Sequence, residues 1–494
     1  MSHNVSCRDI AKCLVCHDAP CSKACPYGVN PAKILRSLHF ANHKGALKAL
    51  KKTCLNCPAP CEKSCVLGSF NIKEILSSYY EKKQELKLSY KKGNIKSDIC
   101  GIEIENPFLL SSSVVSSTYD MCKRAFEAGW AGAAFKTICL MNIEEASPRF
   151  SATKNIDGTF NSFKNIEQLS DHTLSENLEI FRKLKKEFPN KFLLVSIMGN
   201  SEEDWIFLAK ESEKAGADAL ELNFSCPNMT KTGTGSSVGQ VPELVEKFTK
   251  CVTKAVKIPV IAKLTPNVAS MAPAALAAKR GGAKGIAAIN TIHSITEFET
   301  AEKACSSKQV DKFSTGGLSG KAVKPIALRF IAELAQNKEL KDMHISAMGG
   351  IYTCEDALMF LSLGAKSIQI TTAVMEYGYR IIDDLIEGLE YYVGSSGHKN
   401  LKELIGLNLE NLVDVNHIER NTIVYPKFER NKCLHCGRCF LSCRDGGHQA
   451  IKFDENRNPI LDPKKCVGCH LCVLVCPNNA IVSSGIKIKK PKKD

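Results

Sequence analysis

Two eleven-residue runs near the C-terminus, "CLHCGRCFLSC" and "CVGCHLCVLVC", place eight cysteines at one repeated spacing. The first carries Cys433, Cys436, Cys439 and Cys443, and the second Cys466, Cys469, Cys472 and Cys476. Each reads C-x2-C-x2-C-x3-C, and Pro477 follows the second. A two-residue gap lets successive thiolates wrap one corner of an iron–sulfur cube, while the fourth cysteine reaches the other cube. The spacing therefore assigns Cys433, Cys436, Cys439 and Cys476 to one [4Fe–4S] cluster, and Cys466, Cys469, Cys472 and Cys443 to a second. Zinc is the rival reading of an isolated C-x2-C. Two complete runs, the second closed by a proline, favour clusters.

This region resembles a bacterial-type two-cluster ferredoxin. The wider cysteine distribution agrees with metal ligation: of 24 cysteines, nine lie in residues 1–65, eight in 433–476 and seven between. The start "MSHNVSCRDIAKC" lacks the apolar core of a secretory signal. No apolar run reaches the roughly 18 residues of a spanning helix. A cytoplasmic location without a membrane partner is expected, and clustered cysteines there bind metal rather than form disulfides. The formal charge of +14 treats every thiol as neutral, and part of it sits in the tail "KIKKPKKD". Metal-bound cysteines are thiolates, so nucleic acid is not an expected partner. "CLVCH" and "CVGCH" match the haem-attachment pattern, but both are embedded in longer cysteine arrays that already explain them.

The N-terminal cysteines form two groups, "CLVCHDAPCSKACP" with Cys13, Cys16, Cys21 and Cys25, and "CLNCPAPCEKSC" with Cys54, Cys57, Cys61 and Cys65. Between them "PAKILRSLHFANHKGALKALKK" has apolar residues at helical spacing, so the groups are expected to face each other across a helical hairpin. This segment resembles the N-terminal cluster domain of dihydropyrimidine dehydrogenase and of the small subunit of glutamate synthase, where ligands from both groups mix. The resemblance implies that Cys13, Cys16, Cys21 and Cys65 hold one cluster, and Cys25, Cys57 and Cys61 three corners of another. In those families the fourth ligand is a downstream Gln or Glu. The matching position here is Leu76, which cannot ligate, and Cys54, Cys7 and Glu74 stand as alternatives. One or two N-terminal clusters are expected.

From about residue 96 to 415, short apolar runs alternate with helical patterns. The strand candidates are "PFLLSSS", "GAAFKTI", "FLLVSIMG", "ALELNFS", "PVIAKLT", "GIAAINT", "HISAMGG" and "SIQITTA". Eight strands with intervening helices predict a (β/α)8 TIM barrel, class α/β. An open doubly wound sheet is the alternative, but no G-x-G-x-x-G follows any strand. In a barrel, chemistry collects at the carboxyl ends of strands. Those ends carry Ser112, Lys136, Asn223 to Cys226, Lys263, Asn290 with Thr291, Gly349 with Gly350, and Thr371 with Thr372. The last two pairs stand where barrels commonly hold a phosphate. Lysines beside an isoalloxazine can stabilise its anionic reduced form, so FMN is the implied cofactor.

"NPFLLSSS", "FKT", "SFKNIE", "NFSCPN", "AKLTPN", "AINT", "GGLSGKAVKPIALRFI" and "GGI" together resemble the FMN barrel of the dihydroorotate and dihydropyrimidine dehydrogenases. The joined ferredoxin segment and "GGLSGKAVKPIALR" favour the dihydropyrimidine branch. The resemblance implies FMN contacts from Ser112, Lys136, Thr137, Lys263, Gly320, Gly349, Gly350, Thr371 and Thr372. It implies pyrimidine contacts from Asn165, Asn223, Ser225, Asn290 and Thr291. Amide side chains can pair with either the N–H or the C=O of uracil. The strand ends show no extra cation of the kind a carboxylate-bearing dihydroorotate would call for.

Reducing the 5,6 double bond needs hydride at C6 and a proton at C5. A thiol, with a reference pKa of about 8.5, is protonated at neutral pH and can give that proton. Cys226 is the catalytic candidate, and the loop after Pro227 a candidate lid. An isolated strand cysteine is ordinarily core packing, the reading kept for Cys100, Cys122, Cys139, Cys251, Cys305 and Cys354. The flanking Asn223 and Ser225 set Cys226 apart.

The expected organisation is a helical cluster domain at 1–80, a linker at 81–95, an FMN barrel at 96–415, a two-cluster ferredoxin-like α+β domain at 416–485 and a basic tail at 486–494. The expected activity is reduction of uracil or thymine, with electrons from a partner NAD(P)H flavoprotein or a ferredoxin, in an oligomer. A dihydroorotate dehydrogenase-like activity and an electron-transfer module without turnover are the alternatives.

Overall fold

In the computed structural model the chain divides into two compact units, Met1–Leu409 and Glu410–Asp494. The structure describes residues 7–86, 89–155, 158–227, 229, 233–296 and 314–490. Cys305, the Cys7 side chain, loop residues 228 and 230–232, and the last four residues of the tail lie outside that set.

Eight parallel strands close into a barrel: β1 (Phe108–Leu110), β2 (Gly132–Ile138), β3 (Phe192–Ile197), β4 (Ala219–Asn223), β5 (Val260–Lys263), β6 (Gly285–Ala288), β7 (His344–Ala347) and β8 (Ser367–Ile370). Neighbours follow chain order, and β8 pairs back onto β1 with Ile368 opposite Phe108. All eight fall within the runs proposed from sequence. Every residue of β2 is buried, the pattern of a strand covered on both faces. Its first residue has to be small: a Cβ on Gly132 would fall 2.2 Å from the Phe192 carbonyl oxygen.

The chain leaves the barrel after β2 and after β6 and returns as a four-stranded antiparallel sheet. Its order is Ile292–Ser294, Gly316–Ser319, Phe160–Asn165, Phe150–Lys154. This sheet was not foreseen from sequence. The run "FSATKNIDGTFNSFKN" carries its signal, the dipeptide Asp-Gly between two strand-like stretches.

The N-terminal segment belongs to the same compact unit as the barrel. It is built on α1 (Pro31–His39), α2 (His43–Ala49) and α3 (Ile72–Glu85), and the barrel supplies α4 (Ile381–Ser395). Asn30 and Asn42 cap α1 and α2 by accepting from the backbone N–H of Lys33 and Gly45. Ile34, Leu35, Leu47, Ile72, Ile75 and Leu76 form a small core between the helices. Helix α3 runs to Glu85, beyond the boundary expected at residue 80, because "YYEKKQE" continues the helix with good helix formers.

Polar contacts join the N-terminal helices to the barrel. Fully buried Asp384 on α4 accepts from Arg36 Nε at 2.7 Å, Ser37 Oγ at 2.6 Å and Asn42 Nδ2 at 3.3 Å. Arg380 donates to the carbonyls of Val15 and Cys16. His39 pairs with the Tyr377 hydroxyl at 3.2 Å and packs edge-on against the Phe40 and Tyr377 rings.

In Glu410–Asp494, Thr422–Phe428 pairs antiparallel with Ile481–Lys489, and Ile451–Phe453 with Pro459–Leu461. The pairing runs past residue 486, where a basic tail was expected to begin. Ile486 and Ile488 alternate with lysines at strand period, and Ile488 stands opposite Ile423. Among the described residues no helix is long and apolar enough to cross a membrane.

Asp384→Ala should remove the buried acceptor shared by Arg36, Ser37 and Asn42, leaving Arg36 only the exposed Asp383 at 3.2 Å, a loss of about 3–5 kcal/mol for a broken buried pair. The expected result is rapid proteolytic release of the N-terminal helices while the barrel stays folded. Docking should also weaken in acid. Burial, with Lys321 adding, lowers the His39 pKa from 6.5 to about 4. The undocked form therefore binds more protons between those values, and docking weakens as pH falls from 6.5 towards 4, by roughly 1.4 kcal/mol per unit. His39→Phe should flatten that slope in a pH series of the same proteolysis assay.

Candidate active site and cluster hollows

A cleft of about 1120 Å³, its solvent-filled mouth included, opens where the eight strands end. Of the candidate residues, Ser112, Lys136, Thr137, Asn165, Asn223, Cys226, Lys263, Asn290, Thr291, Gly349, Gly350, Thr371 and Thr372 all line it. Ser225 and Gly320 do not. Ser225 is fully buried behind the wall. Gly320 lies under Gly350, where an added Cβ would come within 2.9 Å of the Gly320 carbonyl.

Both strand-end lysines carry buried glutamate partners that the sequence reading missed. Lys263 Nζ lies 3.3 Å from Glu221 Oε1 and donates to Ser112 Oγ at 2.7 Å, and Ser112 donates on to Glu221 at 2.6 Å. Gln369 Nε2 reaches Glu221 Oε2 at 3.3 Å. Lys136 Nζ lies 3.6 Å from Glu167, which Arg149 also meets at 3.0 Å. A buried ammonium is strongly disfavoured unless paired. The signal was a charge within an otherwise apolar strand, Glu221 in "ALELN".

The amides form a relay along the rim. Asn223 Nδ2 donates to Thr137 Oγ1 at 2.9 Å, Ser225 Oγ donates to Asn223 Oδ1 at 2.8 Å, and Asn290 Nδ2 donates to Ser225 Oγ at 2.7 Å. Ser225 thus fixes the orientation of two amides from behind. Cys226 stands beside them on the cavity wall, 6% exposed. The chain after the loop folds back onto it: Ser236 N–H donates to the Cys226 carbonyl at 3.0 Å.

The donor set fits FMN. At one end of the cleft are the backbones of Gly349 and Gly350, at φ +119° and +75°, where side chains would be strained. Beside them the hydroxyls of Ser113 and Thr371 pair at 3.0 Å, and Thr372 donates to Ser319 at 3.0 Å. Backbone N–H groups with short hydroxyls suit a phosphate. Gln369 lines the cleft with a buried Oε1 that accepts from no described group.

The cysteines stand around four smaller hollows. Cys433, Cys436, Cys439 and Cys476 line one, and Cys443, Cys466, Cys469 and Cys472 another. In the N-terminal segment Cys13, Cys16, Cys21 and Cys65 line a third, and Cys25, Cys54, Cys57 and Cys61 a fourth. Among the described residues no three His, Cys, Asp or Glu side chains converge closely enough for a single metal ion. Burial pushes the thiols of Cys13, Cys61 and Cys472 up to about 11. Loading a cluster must therefore displace protons.

A dihydroorotate dehydrogenase family model matches residues 94–393, and a 4Fe-4S dicluster domain model matches 427–483. The NAD-dependent dihydropyrimidine dehydrogenase subunit PreA of Escherichia coli (strain K12) is 49% identical over 396 residues, which is 80% of this chain and 96% of that protein. The chain belongs to the dihydropyrimidine dehydrogenase family. It is an oxidoreductase of flavin-binding ancestry with an iron–sulfur domain. The chloroplastic dihydropyrimidine dehydrogenase (NADP(+)) of Arabidopsis thaliana is 34% identical over 328 residues, 63% of this chain and 76% of that one. The dihydroorotate dehydrogenase B catalytic subunit of Pyrococcus abyssi is 38% identical over 315 residues, covering 63% and 98%. The crystal structure of the Eimeria tenella DHODH with ferulenol superposes with a TM-score of 0.53 at 18% identity, covering 68% of this chain and 94% of that one. That likeness shows the barrel fold.

The Lys263–Glu221 pair gives this family member a direct test. Glu221→Gln should destabilise the barrel by about 3–5 kcal/mol, because a buried ammonium loses its partner. Lys263→Met combined with Glu221→Gln should recover most of that loss. Denaturant midpoints of the two single variants and the double variant measure the coupling.

Proposed function

We propose that this enzyme reduces the 5,6 double bond of uracil or thymine. The observation that carries the reading is the composition of one cavity wall: Asn165, Asn223, Asn290, Thr291 and Cys226 together. Among the described residues the cleft's cations are Lys136 and Lys263, and each already faces a buried glutamate. A neutral ring that presents N–H and C=O edges suits such a wall, and a carboxylate does not.

In this reading the amides bind and orient the pyrimidine, with Ser225 holding Asn223 and Asn290 from behind. Bound FMN would contribute the hydride for C6. Ser112, Lys136, Thr137, Lys263, Gly349, Gly350, Thr371 and Thr372 would hold it, with Gly320 supporting Gly350. Cys226 keeps a proton for C5 and releases it as the double bond is reduced, a general-acid role. The segment that folds back over Cys226 limits water at the thiol. The cysteine-lined hollows would hold [4Fe–4S] clusters, which would supply electrons taken from a separate NAD(P)H flavoprotein or a ferredoxin. The similarity to a protein named as a subunit supports a separate partner.

Cys226→Ala tests the assignment. Flavin content and iron content should be unchanged, while the rate at which uracil oxidises the reduced protein falls by about 10²–10⁴. Cys226→Ser should also be slow, since a hydroxyl is a much weaker acid than a thiol. Near-normal stopped-flow rates in the alanine variant, with only a lowered thermal midpoint, would mean that the cysteine is packing alone. The purified chain without a partner should turn over uracil with dithionite but not with NADH or NADPH.

A further inference from the structure

The two N-terminal cysteine groups are repeats of one another, in sequence and in backbone. Cys13, Cys16, Cys21 and Cys25 are matched in order by Cys54, Cys57, Cys61 and Cys65. In each group the third cysteine follows an Ala-Pro pair. Both alanines, Ala19 and Ala59, are left-handed at φ +48° and +55°, and each leads into a one-turn helix, Pro20–Lys23 or Pro60–Lys63.

The hollows share out the thiols by the same rule. Cys13, Cys16 and Cys21 line one hollow together with Cys65, the fourth cysteine of the other group. Cys54, Cys57 and Cys61 line the second together with Cys25, again the fourth of the other group. Cys54 is thus the counterpart of Cys13. It is buried at 7% exposure, and the Cys57 thiol lies 3.6 Å from its carbonyl. Leu76, at the position where the resembling families place a Gln or Glu, faces the same hollow and offers no donor atom. Glu74 is exposed and accepts from Asn71 at 3.3 Å, outside that lining.

We propose that Cys54 is the fourth ligand of a second N-terminal [4Fe–4S] cluster, completed by Cys25, Cys57 and Cys61, so that the second site is all-cysteine. Four thiolates suit such a cluster without help from a side-chain oxygen. The proposal rests on the iron–sulfur reading of this segment and is independent of the pyrimidine chemistry.

The test is made on the full chain, purified anaerobically, without substrate. Wild type should carry about 16 irons, four per cluster. Cys54→Ala should lose about four of them, or convert one cluster to a three-iron form seen by EPR in the oxidised protein. Adding Leu76→Gln to that variant should restore the lost iron, because residue 76 faces the same hollow. Where the alanine variant folds poorly, Cys54→Ser keeps the size and offers a hydroxyl, and its N-terminal cluster should show an altered Mössbauer spectrum. Wild-type iron and an unchanged spectrum in both variants would overturn the proposal, as would about 12 irons in wild type with intact Cys13-group and C-terminal signals.

Discussion

A closed parallel barrel brings the carboxyl ends of all its strands to one rim, and the candidate active site depends on that closure. Residues far apart in the chain, such as Ser112, Lys136, Asn223, Lys263, Asn290 and Thr371, meet only because β8 pairs back onto β1. An open sheet would leave its first and last strand ends on opposite edges. Closure also creates an interior with no water to solvate charge, so Lys136 and Lys263 must bring their own counter-ions. Glu167 and Glu221 supply them.

Those two ion pairs shape the chemistry as well as the stability. Because each cation is matched from within the protein, the cleft presents donors and acceptors to a ligand rather than net charge. The polar interior continues below the rim, from Gln369 through Ser346 and Ser367 to His344, with spacings of 3.1, 2.9 and 2.8 Å. Buried networks of this kind hold one arrangement when satisfied. Two buried atoms of this network, His344 Nδ1 and Gln369 Oε1, have no partner among the described residues. The N-terminal helices reach the barrel through a buried carboxylate in the same manner, on Asp384.

Much of this was legible in the sequence because two periodicities are strong. The apolar strand runs followed by helical stretches gave all eight barrel strands, and cysteine spacing grouped the C-terminal thiols as the hollows do. The lost information is of two kinds. The partners of Lys136 and Lys263 are set by three-dimensional adjacency, and nothing in a single strand shows that Glu221 stands beside the end of the next one. The antiparallel sheet that carries Asn165 is assembled from two insertions far apart in sequence, and one of its strands, Gly316–Ser319, has little strand propensity of its own. Ser225 reads as a contact from sequence because strand ends alternate between cavity and wall, and only the fold shows which side it faces. The fourth ligand in the second N-terminal hollow was open in sequence and is narrowed by the internal repeat.

On the reading proposed above, the cleft accepts and reduces a neutral pyrimidine. The most direct measurement is a single-turnover comparison on the anaerobically reduced full chain, in which uracil, thymine or orotate is added and flavin absorbance is followed. Uracil or thymine should re-oxidise the flavin rapidly, with the 5,6-dihydro product recovered, and orotate should not re-oxidise it. Re-oxidation by orotate in preference to both neutral rings would contradict that reading.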